Sequence, residues 1–184
     1  MSTGEVIVLL AEGFEEIEAL GTVDVLRRLQ VPVRTAGLTG LQVTGAHGIS
    51  CSADMTLAEA EKLDPAAVVL PGGLPGATNL LASEAVKALL QRTAAAGGVT
   101  AAICAAPIVL AAAGLLKGRR FTMYPGFDSY LNGAVPTAEM VESDGKVVTG
   151  KGPGATCLFA AKIAEVLGVA PEKTAGVLQG MFVK

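Results

Sequence analysis

The apolar positions of this 184-residue chain fall in short unbroken runs rather than in strict alternation with polar ones. Residues 5–11 (EVIVLLA), 66–73 (AAVVLPGG) and 98–103 (GVTAAI) are apolar and rich in β-branched side chains. Such runs mark strands buried on both faces of a sheet. Residues 31–38 (VPVRTAGL) read as a further short strand. Between the runs the period lengthens. Residues 14–30 (FEEIEALGTVDVLRRLQ) have a helical pattern, and residues 83–98 read as a helix capped by Ser83 and stopped by glycines. Further helices are expected over 105–118 and over 154–168, the latter ending at Gly168. Residues 138–150 predict a hairpin through Asp144-Gly145. Strands alternating with helices predict an α/β fold with a mostly parallel central sheet covered on both faces. The length suits one domain over residues 1–184. In such sheets sites form at the carboxyl ends of the strands, here near residues 11–13, 70–73 and 103–105.

Residues 99–116 are apolar for about the length of a membrane span. Thr100, Pro107 and a series of alanines favour instead a buried strand followed by a buried helix. The first residues carry no basic leader, and their apolar run of about six residues is short for a signal peptide. The net charge of −3 argues against nucleic acid as a partner, since phosphate binding needs a basic field. Three cysteines, Cys51, Cys104 and Cys157, lie far apart, so a disulfide framework is not expected and a reducing cytoplasm is. One histidine and three scattered cysteines give no metal-ligand spacing. Neither a metal nor another cofactor is expected.

Cys104 lies where a strand turns into a helix. Pro107 is tolerated in a first turn, which places the helix start near Ala105 and Cys104 at the N-cap or first turn. The positive end of the helix then favours the thiolate, and the tight turn presents the side chain beyond the strand, as in the nucleophile elbow of hydrolases. A helix end supplies about 1–2 kcal/mol, whereas lowering a thiol pKa from about 8.5 to about 6 takes roughly 3.4 kcal/mol, so a hydrogen-bond donor is also needed. Glu18 is the candidate. With Phe14, Gly21, Val25 and Leu29 it lines one helical face, while Glu15 and Glu16 fall off it. Two readings stand: a buried acid kept protonated, or a carboxylate whose head reaches solvent at the helix start. Gly72 and Gly73 follow a buried strand and permit a donor-lined concavity that, with the Ala105 amide, makes an oxyanion hole; an ordinary turn is the alternative. Asp24, between Ile17 and Gly21 around the helix, is expected to be partly buried. Cys157 lies on an apolar face and is expected to pack there.

Taken together, residues 6–28 (VIVLLAEGFEEIEALGTVDVLRR), 68–80 (VVLPGGLPGATNL), 101–107 (AAICAAP) and 151–167 (KGPGATCLFAAKIAEVL) resemble the ThiJ/PfpI superfamily, in its DJ-one branch. The resemblance implies a flavodoxin-like three-layer sandwich and a homodimer. It implies that Cys104 is the reactive, oxidation-prone cysteine and Glu18 its hydrogen-bonded acid. The Gly73 and Ala105 amides would be the anion donors, with residues 152–154 near the site. The chain departs from the pattern where relatives carry a histidine before proline, since here Tyr124 stands in that place, and where many carry an arginine, since here His47 does. The protease-like branch has a histidine directly after the cysteine, and here that residue is Ala105. The implied activity is a cofactor-independent, cysteine-dependent glyoxalase or deglycase acting on small α-oxoaldehydes or early glycation adducts. The alternative is a redox-sensing stress protein or chaperone whose Cys104 is oxidised to sulfinate without turnover.

Overall fold

The computed structural model describes residues 4–131 and 134–183; residues 1–3 and 184, the ends of the expected domain, lie outside them. The strands are β1 (Val6–Leu10), β2 (Val33–Gly37), β3 (Gln42–Thr44), β4 (Ser50–Ser52), β5 (Met55–Thr56), β6 (Ala67–Leu70), β7 (Val99–Ile103), β8 (Val141–Asp144) and β9 (Val147–Gly150). The helices are α1 (Glu16–Arg28), α2 (Leu57–Ala60), α3 (Gly76–Ala82), α4 (Glu84–Ala95), α5 (Pro107–Ala112), α6 (Thr156–Val166) and α7 (Pro171–Gly180). Seven strands form one sheet in the order β5-β2-β1-β6-β7-β9-β8. All its pairings are parallel except β8 with β9, which form the expected hairpin. Strands β3 and β4 make a separate antiparallel ribbon.

The unbroken apolar runs have a direct structural reason. In β1, Ile7 and Leu9 face one layer with Val68, Leu70, Leu89, Leu90 and Ile108. Val6, Val8 and Leu10 face the other, with Val25, Leu26, Phe159 and Ile163. A strand with helices on both sides has no solvent face, so neither parity can be polar. Each fully buried leucine or isoleucine contributes about 1.5–3 kcal/mol relative to exposure. Ser83 caps α4 as expected, its hydroxyl accepting the Val86 N–H.

Three expectations need correction. Helix α5 starts at Pro107, with Ala106 as its N-cap, rather than near Ala105. The short elements β3, β4, β5, α2 and α3 and the terminal helix α7 were not anticipated, because pieces of two to seven residues carry no readable period and α7 is mostly exposed. Asp24 is exposed and pairs with Arg28 at 2.7 Å. The face of α1 on which it was placed is not buried, since Ile17 on it is 61% exposed. No helix among the described residues is long and apolar enough to cross a membrane.

Candidate functional site

The site is built at the carboxyl ends of β1, β6 and β7. Cys104, directly after β7, has a φ of +62°. A non-glycine residue rarely adopts this left-handed conformation and keeps it only when its surroundings fix it. Here they do: the Cys104 N–H donates to the Gly150 carbonyl at 2.9 Å, and its own carbonyl accepts the Tyr124 N–H at 2.9 Å. The bend turns the chain sharply from strand into the three-residue turn that precedes α5.

Glu18 reaches the site from the first turn of α1. Glu15 is the N-cap, and its Oε2 accepts the Glu18 N–H at 2.7 Å. The Glu18 side chain is fully buried, which decides between the two readings of this residue: its head does not reach solvent. Its Oε2 accepts the Gly72 N–H at 2.8 Å. Its Oε1 has no nitrogen or oxygen partner among the described residues, and the carboxyl's remaining polar neighbour is the Cys104 thiol.

Gly72 is what lets these two groups meet. A Cβ there would lie 2.7 Å from both Cys104 Cβ and Glu18 Oε2, closer than real atoms approach. Gly73 has a φ of +86°, and a Cβ on it would strike the backbone of Gly13 and Glu15. Its amide and that of Ala105 face the Cys104 sulfur and favour its thiolate. The Gly72 amide holds the Glu18 carboxyl, and the Gly73 amide faces the sulfur.

The electrostatics correct the expected low thiol pKa. Burial, then the charge of Glu18 and its hydrogen bond, push the Cys104 thiol up to about 12, while the Ala105 and Gly73 amides pull it back. Cys104 precedes the N-cap of α5 by two residues, so the helix end does not supply the expected stabilisation. Burial also raises Glu18 to about 7, opposed by Gly72 and Cys104 and assisted by Glu15. Two groups this close titrate as a pair. Between the Glu18 value of about 7 and the Cys104 value of about 12 the pair holds one proton. When that proton is on Glu18, the charge that opposes the thiolate is gone, and the otherwise partnerless Oε1 has a hydrogen bond to donate.

The remaining candidates are placed as follows. Tyr124, half exposed, is tied by its backbone to Cys104, and its ring lies 3.4 Å from where a Gly152 Cβ would stand, so the 152–154 stretch and Tyr124 flank the same side. His47 is 70% exposed in its side chain and sits 2.8 Å from Glu16 Oε2 through Nδ1. No hydrogen bond joins it to Cys104 among the described residues. Cys157 is half-buried and packs on the face of the sheet that carries α1 and α6.

Glu15 and Glu16 were missed. Both were placed off the buried face, yet they are 8% and 5% exposed. Burial of Glu16 comes from the 45–49 loop, whose His47 and Ile49 amides donate to its Oε1. Burial raises its pKa, but these bonds and the His47 ring outweigh that and hold it below the ordinary value. An acidic pair at a helix start signals capping; the covering loop leaves no such signal.

This architecture and these residues have known counterparts. A family model for the DJ-1/PfpI family matches residues 4–166. Protein dj-1beta of Drosophila melanogaster is 39% identical over 185 residues, spanning 96% of both chains. The crystal structure of Drosophila melanogaster DJ-1beta superposes with a TM-score of 0.92 at 38% identity, over 98% of each chain. The fold is thus the flavodoxin-like sandwich expected. The glutathione-independent glyoxalase DJR-1.2 of Caenorhabditis elegans is 36% identical over 94% of this chain and 92% of its own. A deglycase of Pyrococcus abyssi is 32% identical over 81% of this chain and 90% of its own.

Proposed function

Because the chain belongs to the DJ-1/PfpI family, we propose that it is a cofactor-independent glyoxalase- or deglycase-like enzyme acting on methylglyoxal, glyoxal or early glycation adducts. The observation that carries this reading is the convergence of Cys104 and the buried Glu18 on Gly72, with the Gly73 and Ala105 amides at the sulfur. Two relatives named for such activities support it.

For methylglyoxal the chemistry balances without an external oxidant. The Cys104 thiolate attacks the aldehyde carbon, forming the C–S bond, and the carbonyl oxygen takes the proton of Glu18. The two amides stabilise the alkoxide as it develops. Glu18, now a carboxylate, removes the proton on that carbon and returns it to the neighbouring carbon, while the hydroxyl proton gained in the first step passes to the former ketone oxygen. The aldehyde carbon is oxidised to a thioester as the ketone carbon is reduced to an alcohol. Water then cleaves the C–S bond, releasing the hydroxy acid and restoring the thiol. Tyr124 flanks the mouth, where its hydroxyl offers a hydrogen bond but is a poor base at neutral pH.

Cys104→Ser is expected to abolish loss of methylglyoxal, and Glu18→Gln to reduce it at least a hundredfold, with far-ultraviolet circular dichroism unchanged in both. A Cys104→Ser protein with wild-type turnover would overturn the reading. The same amides and acid also suit a sulfinate on Cys104, formed when the thiol reduces two equivalents of peroxide to water. A clean two-oxygen mass adduct in a protein without turnover would select that redox-sensing role instead. The exposed apolar side chains of Ile17 and Leu20 on α1 and of Ile49 on the adjoining loop support assembly as a homodimer through this face.

A further inference from the structure

Three hydrogen bonds join Glu15, Gly72 and Glu18 in a closed ring. The Glu15 N–H donates to the Gly72 carbonyl at 3.0 Å. The Gly72 N–H donates to Glu18 Oε2 at 2.8 Å, and the Glu18 N–H donates to Glu15 Oε2 at 2.7 Å. We propose that Glu15 is a positioning residue for the Cys104–Glu18 pair: its side chain closes this ring, and its charge directs the proton of the pair to Glu18 and the negative charge to sulfur. The inference rests on the reading of that pair as the working groups of the proposed reaction.

The ring ties the start of α1 to the turn after β6, the two segments that hold the acid. Glu15 and Glu18 are both buried, so water does not compete for these bonds. Gly73 belongs to the same closure. A Cβ there would lie 2.4 Å from the Glu15 nitrogen and would push Glu15 off the Gly72 carbonyl. Capping by itself does not call for glutamate. Ser, Thr, Asp and Asn are the preferred N-caps, and Thr56 and Ser83 fill that place on α2 and α4. A glutamate adds a full charge beside a fully buried carboxyl. A like charge disfavours ionisation of its neighbour. Glu15 acts on Glu18 in this sense, adding to the larger effect of burial and against the Gly72 and Cys104 hydrogen bonds. Cys104 responds instead to burial, to Glu18 and to the two amides. The Glu15 charge therefore opposes one ionised partner and not the other. Among the described residues, the titratable groups bearing on Glu18 are Glu15 and Cys104; the turn after β6 brings only backbone. His47, from the 45–49 loop, faces Glu16 at 2.8 Å and Glu15 at 4.0 Å.

Alkylation of Cys104 by iodoacetamide, followed by mass spectrometry from about pH 5 to about pH 9, reads the pair without turnover. In the native chain the rate should rise through about pH 7, where Glu18 titrates, to a plateau. Glu15→Gln keeps an oxygen that can accept the Glu18 N–H and removes the charge. Its rise should move to lower pH and its plateau should fall about three- to tenfold, with far-ultraviolet circular dichroism unchanged. Both shifts should persist in a His47→Gln background, where the neighbouring imidazole no longer titrates. Glu15→Ala, which also opens the ring, should alkylate more slowly still and lose kcat for methylglyoxal at least about tenfold, with KM within about twofold. A rise or a plateau that stays in place in Glu15→Gln would refute the proposal, as would a shift that vanishes with His47→Gln or a Glu15→Ala protein no slower than Glu15→Gln. A native chain with these alkylation shifts and no turnover would instead refute the proposed reaction and leave the role of Glu15 standing.

Discussion

At the scale of single residues, the site depends on one missing methyl group. A Cβ on Gly72 would press on both the Cys104 Cβ and the Glu18 carboxyl, and the Gly72 amide holds that carboxyl in place. A side chain there must displace one of the two. Gly72→Ala is therefore expected to reduce methylglyoxal turnover by about ten- to a hundredfold, because displacements near 1 Å are enough for such losses. Its stability should fall by about 1–3 kcal/mol, the usual cost of overpacking. Alkylation kinetics of Cys104, followed by mass spectrometry, separate the two effects, since a purely structural change would leave the thiol as reactive as before in the folded fraction.

At the scale of elements, the hairpin β8–β9 closes one edge of the sheet with a charge pair. Glu142, buried on β8, accepts two hydrogen bonds from the guanidinium of Arg120, one of 2.7 Å and one of 3.4 Å. The Arg120 hydrogen bond holds the Glu142 carboxyl below its ordinary value, against the opposing effect of burial. A carboxyl whose folded pKa lies below its unfolded one stabilises the fold above the unfolded pKa. That contribution is lost as pH falls through the ordinary carboxylate range, near 4, toward the folded value. Glu142→Gln should thus lower the melting temperature at pH 7, and its difference from wild type should shrink as the pH falls below about 4. A gap that stays constant from pH 7 to pH 3 would assign the effect to packing alone.

At the scale of the whole molecule, helices cover both faces of the sheet, yet α1 leaves Ile17 and Leu20 in solvent beside Ile49. Light scattering should report a dimer for the native chain and a monomer, or a markedly weaker dimer, for Ile17→Glu; a native monomer at high micromolar concentration would sink the homodimer. The sequence by itself determined the layered α/β fold, because strands buried on both sides are apolar at both parities, as β1 and β6 are throughout and β7 is apart from Thr100. It also marked Cys104 and Glu18, through a cysteine at a strand-to-helix bend and a carboxylate on an apolar stripe. Tertiary structure decided the rest. The thiol pKa is set by how deeply the sulfur is buried and by Glu18, which stands far from it in the chain. Whether Glu15 and Glu16 are buried depends on a loop about thirty residues downstream folding over them. Periodicity records which face of its own helix a residue occupies; burial and charge depend on what other segments bring to that face, and that is fixed only when the chain closes on itself.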